Sequence, residues 1–338
     1  MIADRPLRVL ESFQTPRATT NPYIVMLYQA LQGTDGVSVQ PFSWRRALVD
    51  SFDVFHVHWP EVRLDGRTWA ARTARHLLMA ALLIKLWLTR TPIVRTKHNL
   101  SRPSGIGWAS NALLAWLERQ TSHTIVLTAQ GQDATDPTVT VIPHGHYRDW
   151  FARYPAEPAQ PGRFAFFGLV RQYKGLTRLV QQFRDLDDDY SLVIAGNPSR
   201  DQLVDELTAA TDADHRITLD FRFLPDADLV RVATSGQVVV LPYREMHNSG
   251  GVLAALSLDR PVLVPRNPVL DELAAEVGER WVLRYSGELT TEDLRRSIQA
   301  ADALTHGDRP DLSARDWADC GAQHRAAFAA ALDRLRGR

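Results

Sequence analysis

The chain has 338 residues, 45% of them hydrophobic, and 39 Lys and Arg balance 39 Asp and Glu. That length suggests about two domains with proper cores, and the even charge argues against a general nucleic-acid binder. A single cysteine, Cys320, excludes an intramolecular disulfide and any cysteine-rich zinc site. Leu7–Leu10 reads as a first strand, followed by the loop SFQTPRATTNP and a helix over Tyr23–Gln32. Val37–Phe42 and Val54–Val57 read as strands, Thr68–Thr91 as a long helix and Ile93–Thr96 as a strand. A helix over Ile106–Thr121 and strands at Thr124–Leu127 and Val139–Ile142 close the first series. The Pro-rich stretch after Ile142, PHGHYRDWFARYPAEPAQPG, reads as a domain junction.

A second series follows, with strands at Phe164–Phe167, Leu192–Ala195, Ile217–Phe221, Val238–Leu241 and Val262–Val264. Helices over Gly175–Phe183, Arg200–Ala210, Ala227–Ser235 and Gly250–Leu258 lie between them. A terminal helix over Ser313–Leu335 carries Trp317, Cys320, His324, Phe328 and Leu332 on one apolar face. Apolar runs alternating with helices predict parallel sheets covered by helices. The fold class is α/β, with two doubly wound Rossmann-like domains facing across a cleft. Residues 1–150 form the first and 151–312 the second, and 313–338 form a C-terminal helix packing back toward the first.

Charge is unevenly spread. Residues 1–150 hold 16 Lys and Arg against 11 Asp and Glu, whereas the remainder holds 23 against 28. This asymmetry suggests that one half meets an anionic partner. The start, MIADRPLRVLESF, lacks the apolar core of a secretory signal, so a cytoplasmic location is expected. In ARHLLMAALLIKLWL, residues 74–88, only Lys85 is polar between Leu77 and Leu88, and Arg72, Arg75 and Arg90 flank the run. Twelve residues span about 18 Å of helix, short of a bilayer core of about 30 Å. Either this helix is buried in the domain, or it docks peripherally on an anionic membrane with Trp87 at the interface.

Several residues could carry chemistry. The stretch VVVLPYREMHNSGGVLAALSLDRPVLVP, Val238–Pro265, runs from strand through a Gly-containing loop into a helix start. Unpaired N–H groups and the helix dipole there favour an anion. Asn248 or Ser249 would cap the helix, and Gly250 and Gly251 would let a phosphate approach the backbone. Arg171 and Lys174, in FGLVRQYKG, fall just past a strand, where open α/β sheets bind ligands. Asn197 and Arg222 also fall at strand ends. In the first domain FHVHWPE places His56, His58, Trp59 and Glu61 at a strand end, and TKHN adds His98 and Asn99. PHGHY adds His144 and His146 at the junction. His-x-His is a known ligand spacing, but Glu61 has no fixed register with it, so no metal and no other cofactor is expected. Acid–base work suits the cluster better, with Glu61 or His58 as the base. The plainer reading of each remains a surface charge or a hydrogen-bonded core histidine.

The order FxGxxRxxKG, xxAGN, xFLPDADL and LPYRExxNSGxxLxALxxxRPV resembles the donor domain of GT-B glycosyltransferases, the retaining family 4 group most of all. The resemblance covers residues 160–285. It implies a nucleotide-sugar donor whose diphosphate is held by Arg171 and Lys174, with Asn248–Gly251 at the phosphates or sugar. Phe223 and Leu224 would lie near the base, and Asn197 would line the pocket. Family 4 enzymes keep two glutamates eight positions apart here. Ala254 stands in the second slot, Met246 in the first, and Glu245 lies one position away. The histidine cluster is similar to that of the inverting glycolipid β-mannosyltransferases of exopolysaccharide assembly. That likeness implies GDP-mannose as donor and a lipid-linked or glycan acceptor, with His56, Trp59, His98, Asn99 and His144 on the acceptor side. Two other readings fit the same fold, a nucleotide-sugar 2-epimerase and a non-catalytic glycosyltransferase-like scaffold.

Overall fold

Short strands built from Val, Ile, Leu and Phe bury both faces, which favours parallel pairing with helical crossovers. The computed structural model describes residues 5–17, 19–98, 105–131, 135–243, 250–305 and 307–336. The chain divides into two compact units, residues 1–145 with 315–338, and residues 146–314. Each unit holds one six-stranded sheet, and every strand pair described is parallel.

The first unit runs β1 (Leu7–Glu11), α1 (Pro22–Gln32), β2 (Val37–Gln40), α2 (Trp44–Val49) and β3 (Val54–Val57). It continues with α3 (Trp69–Leu88), β4 (Ile93–Lys97), α4 (Trp108–Gln120), β5 (Thr121–Val126) and β6 (Val139–Val141). The strand order is β2-β1-β3-β4-β5-β6. The direction of winding reverses at β1, so a ligand crevice is expected at the carboxyl ends of β1 and β3. Pairing sets Glu11 opposite His56 across that reversal. Local chemistry fixes the flanking helices: Asn21 accepts from the Tyr23 N–H ahead of α1, with Pro22 at its first position, and Thr68 caps α3. Beneath, Leu10, Phe55, Leu82, Leu83 and Leu86 share one core with Phe42 and Leu114. The last helix, Trp317–Arg336, packs on α1, β4 and β5 and buries Trp317, Cys320, His324 and Phe328.

The second unit runs α5 (Arg148–Phe151), β7 (Arg163–Phe167), α6 (Leu176–Arg184), β8 (Ser191–Ala195), α7 (Asp201–Thr211), β9 (Ile217–Asp220) and α8 (Asp226–Ser235). Then come β10 (Val238–Val240), α9 (Gly250–Ser257), β11 (Val262–Pro265), α10 (Pro268–Val277), β12 (Val282–Tyr285) and α11 (Thr291–Asp302). The helix Trp317–Arg336 is α12. The order β12-β11-β10-β7-β8-β9 reverses between β10 and β7, and the ligand crevice is expected at their carboxyl ends. Gly196 lets the loops after β7 and β8 touch, since a Cβ there would stand 1.7 Å from the Gly168 carbonyl oxygen. Gly175 does the same against Pro242 with a left-handed φ of 69°, and so ties the Lys174 turn to the end of β10. No helix among the described residues is long and apolar enough to cross a membrane.

Candidate active site

The carboxyl edge of the first sheet gathers a carboxylate and several imidazoles. Alternation along β3 puts His56 and His58 on one face, and the register with β1 sets Glu11 beside them. His56 Nδ1 lies 2.9 Å from Glu11 Oε1, and its Nε2 lies 2.8 Å from the Thr96 hydroxyl. His58 Nε2 lies 3.4 Å from His56 Nδ1 and 3.7 Å from Glu11 Oε2. The other nitrogen of His58, Nδ1, is 2.9 Å from His98 Nε2. Burial pushes the Glu11 carboxyl well above the usual carboxylate range. It also pushes His56 and His98 down to about 3 and holds His58 well below its ordinary value, helped by the neighbouring imidazoles. All three rings are therefore neutral at neutral pH.

Toward the surface the cluster ends in flat rings. Trp59 holds a left-handed backbone with φ 42°, a conformation bulky residues rarely adopt outside functional sites. Its indole stacks on His98 with centroids 3.8 Å apart and an interplanar angle of 18°. Tyr23 meets His98 edge-on at 5.2 Å, and its ring lies 4.5 Å from His144 and 5.6 Å from Trp317. Partly exposed rings beside imidazole donors suit a sugar, which offers apolar C–H faces and hydroxyl groups. Glu61 sits in the single turn Pro60–Arg63 directly after Trp59 and is half-buried. Among the described residues no hydrogen bond or ion pair joins it to the histidines.

The reversal point of the second sheet is cationic. Lys174 is only 7% exposed. Its Nζ donates to the Tyr243 hydroxyl at 3.0 Å and stands 4.4 Å and 5.4 Å from the ring centres of Tyr243 and Phe166. Burial, with the Arg171 charge nearby, pushes Lys174 down to about 8. Arg171 donates to the carbonyl oxygens of Val170 at 2.9 Å and Asn197 at 3.1 Å, which ties together the loops after β7 and β8. Helix α9 opens at Gly250 and Gly251 past the end of β10. A buried ammonium at the switch point of a parallel sheet, with a helix start following the next strand, is an arrangement suited to an anion.

No family model matches the chain. A GDP-mannose:glycolipid 4-beta-D-mannosyltransferase of Xanthomonas campestris pv. campestris is 41% identical over 327 residues, 96% of this chain and 93% of that protein. The chain belongs to the family of these glycolipid mannosyltransferases. Solved structures with the same fold include Anabaena Alr3699/HepE in complex with UDP, at a TM-score of 0.59, 13% identity and 98% of each chain. AviGT4, a glycosyltransferase of avilamycin A biosynthesis, gives 0.58 at 17% identity over 98% of this chain and 99% of its own. The two sheets are thus those of a GT-B glycosyltransferase. A putative UDP-N-acetylglucosamine 2-epimerase from Listeria monocytogenes also shares the fold, at 0.55 and 15% identity over 97% of each chain. At that identity the likeness concerns the fold alone.

Within this glycosyltransferase the residues singled out from sequence fall unevenly. His56, His58 and His98 do come together, with Trp59 and His144 at their outer side. The cluster's carboxylate, however, is Glu11 and not Glu61. His58 is buried, with one ring nitrogen on His98 and the other toward Glu11 and His56. Leu224 is buried whereas Phe223 is 68% exposed, so only Phe223 of that pair presents its side chain to solvent. Asn197 is exposed beside the Arg171 guanidinium. Arg222 is held by Asp220 at 2.9 Å and Asp228 at 2.6 Å, a solvated ion-pair set apart from the Lys174 turn. Asn99, Glu245, Asn248 and Ser249 lie outside the described residues. Helix α3 is neither fully buried nor fully free: Met79, Leu82, Leu83 and Leu86 face the core, while Leu77, Ile84, Trp87 and Leu88 are exposed.

Proposed function

We propose that the chain transfers mannose from GDP-mannose to a glycolipid acceptor with inversion at the anomeric carbon. The observation that carries this reading is the 41% identity along 96% of the chain to a mannosyltransferase of that donor and acceptor. GDP-mannose presents an α-linked sugar, so a β-linked product requires one in-line displacement. The second unit would take the donor. Lys174, Arg171 and the start of α9 at Gly250 and Gly251 would meet the diphosphate as its bond to the sugar lengthens. Asn197, Phe223, Glu245, Asn248 and Ser249 would line the remainder of that subsite. Positive charge already fixed at the leaving group makes a metal unnecessary there.

The first unit would take the acceptor sugar on Trp59, His98 and His144. Glu61, a carboxylate with no partner in the histidine cluster, would accept the proton of the attacking hydroxyl. His58 and His56 would hold the His98 ring behind it. A lipid-linked acceptor also calls for contact with a membrane. The outward row Leu77, Ile84, Trp87 and Leu88 on α3, flanked by Arg72, Arg75 and Arg90, would rest on the anionic cytoplasmic leaflet.

The test is incubation with radiolabelled GDP-mannose, with and without a bacterial glycolipid extract. Lipid-soluble label in a β-linkage, formed only with the extract, is expected. Conversion of the donor without any acceptor would establish an epimerase instead, and GDP-mannose binding without turnover would leave a scaffold.

A further inference from the structure

The buried carboxylate and histidines at the β1–β3 reversal are more than the acceptor side needs. Glu11 has no Lys or Arg partner among the described residues; its neighbours are His56 and His58, and Oε2 makes no hydrogen bond. A carboxylate wholly out of water without a cation is costly. The three residues offer donor atoms that all lie within 4.8 Å of one another. Donors about 2.0–2.1 Å from a tetrahedral zinc stand about 3.3–3.4 Å apart. The separations here are 2.9 Å for Glu11 Oε1 to His56 Nδ1, 3.4 Å for His56 Nδ1 to His58 Nε2, and 3.7 Å for His58 Nε2 to Glu11 Oε2.

The outer contacts agree with that count. Each histidine turns one nitrogen inward and has the other held from behind, His56 Nε2 by the Thr96 hydroxyl and His58 Nδ1 by His98 Nε2. Metal-bound imidazoles are oriented in this way. A fourth base stands nearby, outside that set of three. His324 Nδ1 lies 2.8 Å from the Cys320 carbonyl oxygen, and a carbonyl can only accept, so Nδ1 carries the proton and Nε2 a lone pair. That Nε2 is buried without a partner, and the His324 ring centre is 5.5 Å from that of His56.

We propose that Glu11, His56 and His58 bind one divalent transition-metal ion of the zinc class, with His324 placed to hold the water at its fourth position. The sequence sets a metal aside because Glu61 has no register with the histidine pair; Glu11, from a different strand, has one. The ion would neutralise Glu11, join β1 to β3 and α12, and fix the His98 ring through His58. It would lie inside the first unit, and the proposal stands whichever sugar the enzyme moves.

The full chain, carried on a tag without histidines, would be loaded with Zn2+ or Co2+, desalted and analysed for metal by mass spectrometry. One equivalent retained per folded chain is expected, with the visible absorption of four-coordinate Co2+. Thr96→Val, which removes only an outer partner, should weaken binding about 10- to 100-fold. Glu11→Gln and His58→Asn should lose the cobalt absorption. A folded wild-type chain that retains no stoichiometric metal after loading refutes the site, and so does undiminished metal in folded Glu11→Gln and His58→Asn chains. Where those variants fail to fold, the wild-type stoichiometry and cobalt spectrum decide.

Discussion

Replacing Lys174 by Met would separate the stability of the second unit from the nucleotide affinity proposed for it. The ammonium is nearly inaccessible, its one hydrogen bond among the described residues runs to Tyr243, and burial, with the Arg171 charge nearby, has pushed it from 10.5 to about 8. That displacement corresponds to roughly 3 kcal/mol at 1.36 kcal/mol per tenfold change. The sign follows from proton counts. Below about pH 8 the lysine is protonated in both folded and unfolded chains, and the folded chain bears the whole cost of burying the charge. Between about 8 and 10.5 the unfolded chain binds more protons, so the cost fades as pH rises. Met keeps the length of the side chain and removes the charge. Losing the Tyr243 hydrogen bond offsets about 1 kcal/mol, so a net stabilisation of about 1–2 kcal/mol is expected at pH 7. The pH signature is firmer than the net value: the gap between the two chains should move by roughly 2 kcal/mol in favour of wild type by pH 9.5. Urea unfolding at both pH values measures it. In parallel, calorimetry should show GDP binding about 10- to 100-fold weaker in the variant, the usual cost of a lost charge-assisted contact. A variant less stable at pH 7 with a pH-independent gap, or one with unaltered GDP affinity, would refute the reasoning.

Glu61→Gln should lower transfer by about 10²–10⁴-fold while leaving GDP affinity alone; near-normal turnover moves the base to another residue. On α3, Leu77→Glu with Trp87→Glu should reduce sedimentation with anionic vesicles without loss of the folded state, because both side chains are exposed, at 66% and 68%. Leu83→Glu, one position from exposed Ile84, should instead unfold the first unit, since Leu83 is fully buried. Equal vesicle binding by the double variant and wild type would remove the membrane contact.

The layering of the fold was legible because parallel strands buried on both faces leave short apolar runs between turn residues. The run Phe164–Phe167 and the run Val238–Val240 are of this kind, and both are strands. Less was legible past β11, where α10 and α11 are short, although Leu270, Leu273, Ala274 and Val277 in one and Leu294, Ile298 and Ala301 in the other keep a helical spacing. The Lys174 turn at the end of β7 was legible because Gly175 follows it directly. Its burial was not, for that depends on Tyr243, which arrives past β10 from 69 residues away. Glu11 was missed for a similar reason. It follows Leu10 as an ordinary strand-ending charge would, and only the pairing of β1 with β3, 45 residues away, places it on His56. Glu61 drew attention through nearness in sequence, yet a single turn carries it past the histidines. For α3 the composition is apolar throughout, so only neighbours such as Phe55 and Leu114 decide which side turns inward.

Helix α12 has a consequence for how the protein is made. The first unit is encoded by residues 1–145, yet its wall is completed by a helix that begins at Trp317. On the ribosome the nascent first sheet must therefore wait while the whole second unit is synthesised. At roughly 5–20 residues per second that delay is on the order of ten to thirty seconds. During that interval the faces of α1, β4 and β5 that will meet Phe328 and His324 are bare. The cell has an exposed apolar surface to shield until residues 317–336 emerge, and a ribosome stalled short of them would leave that surface uncovered.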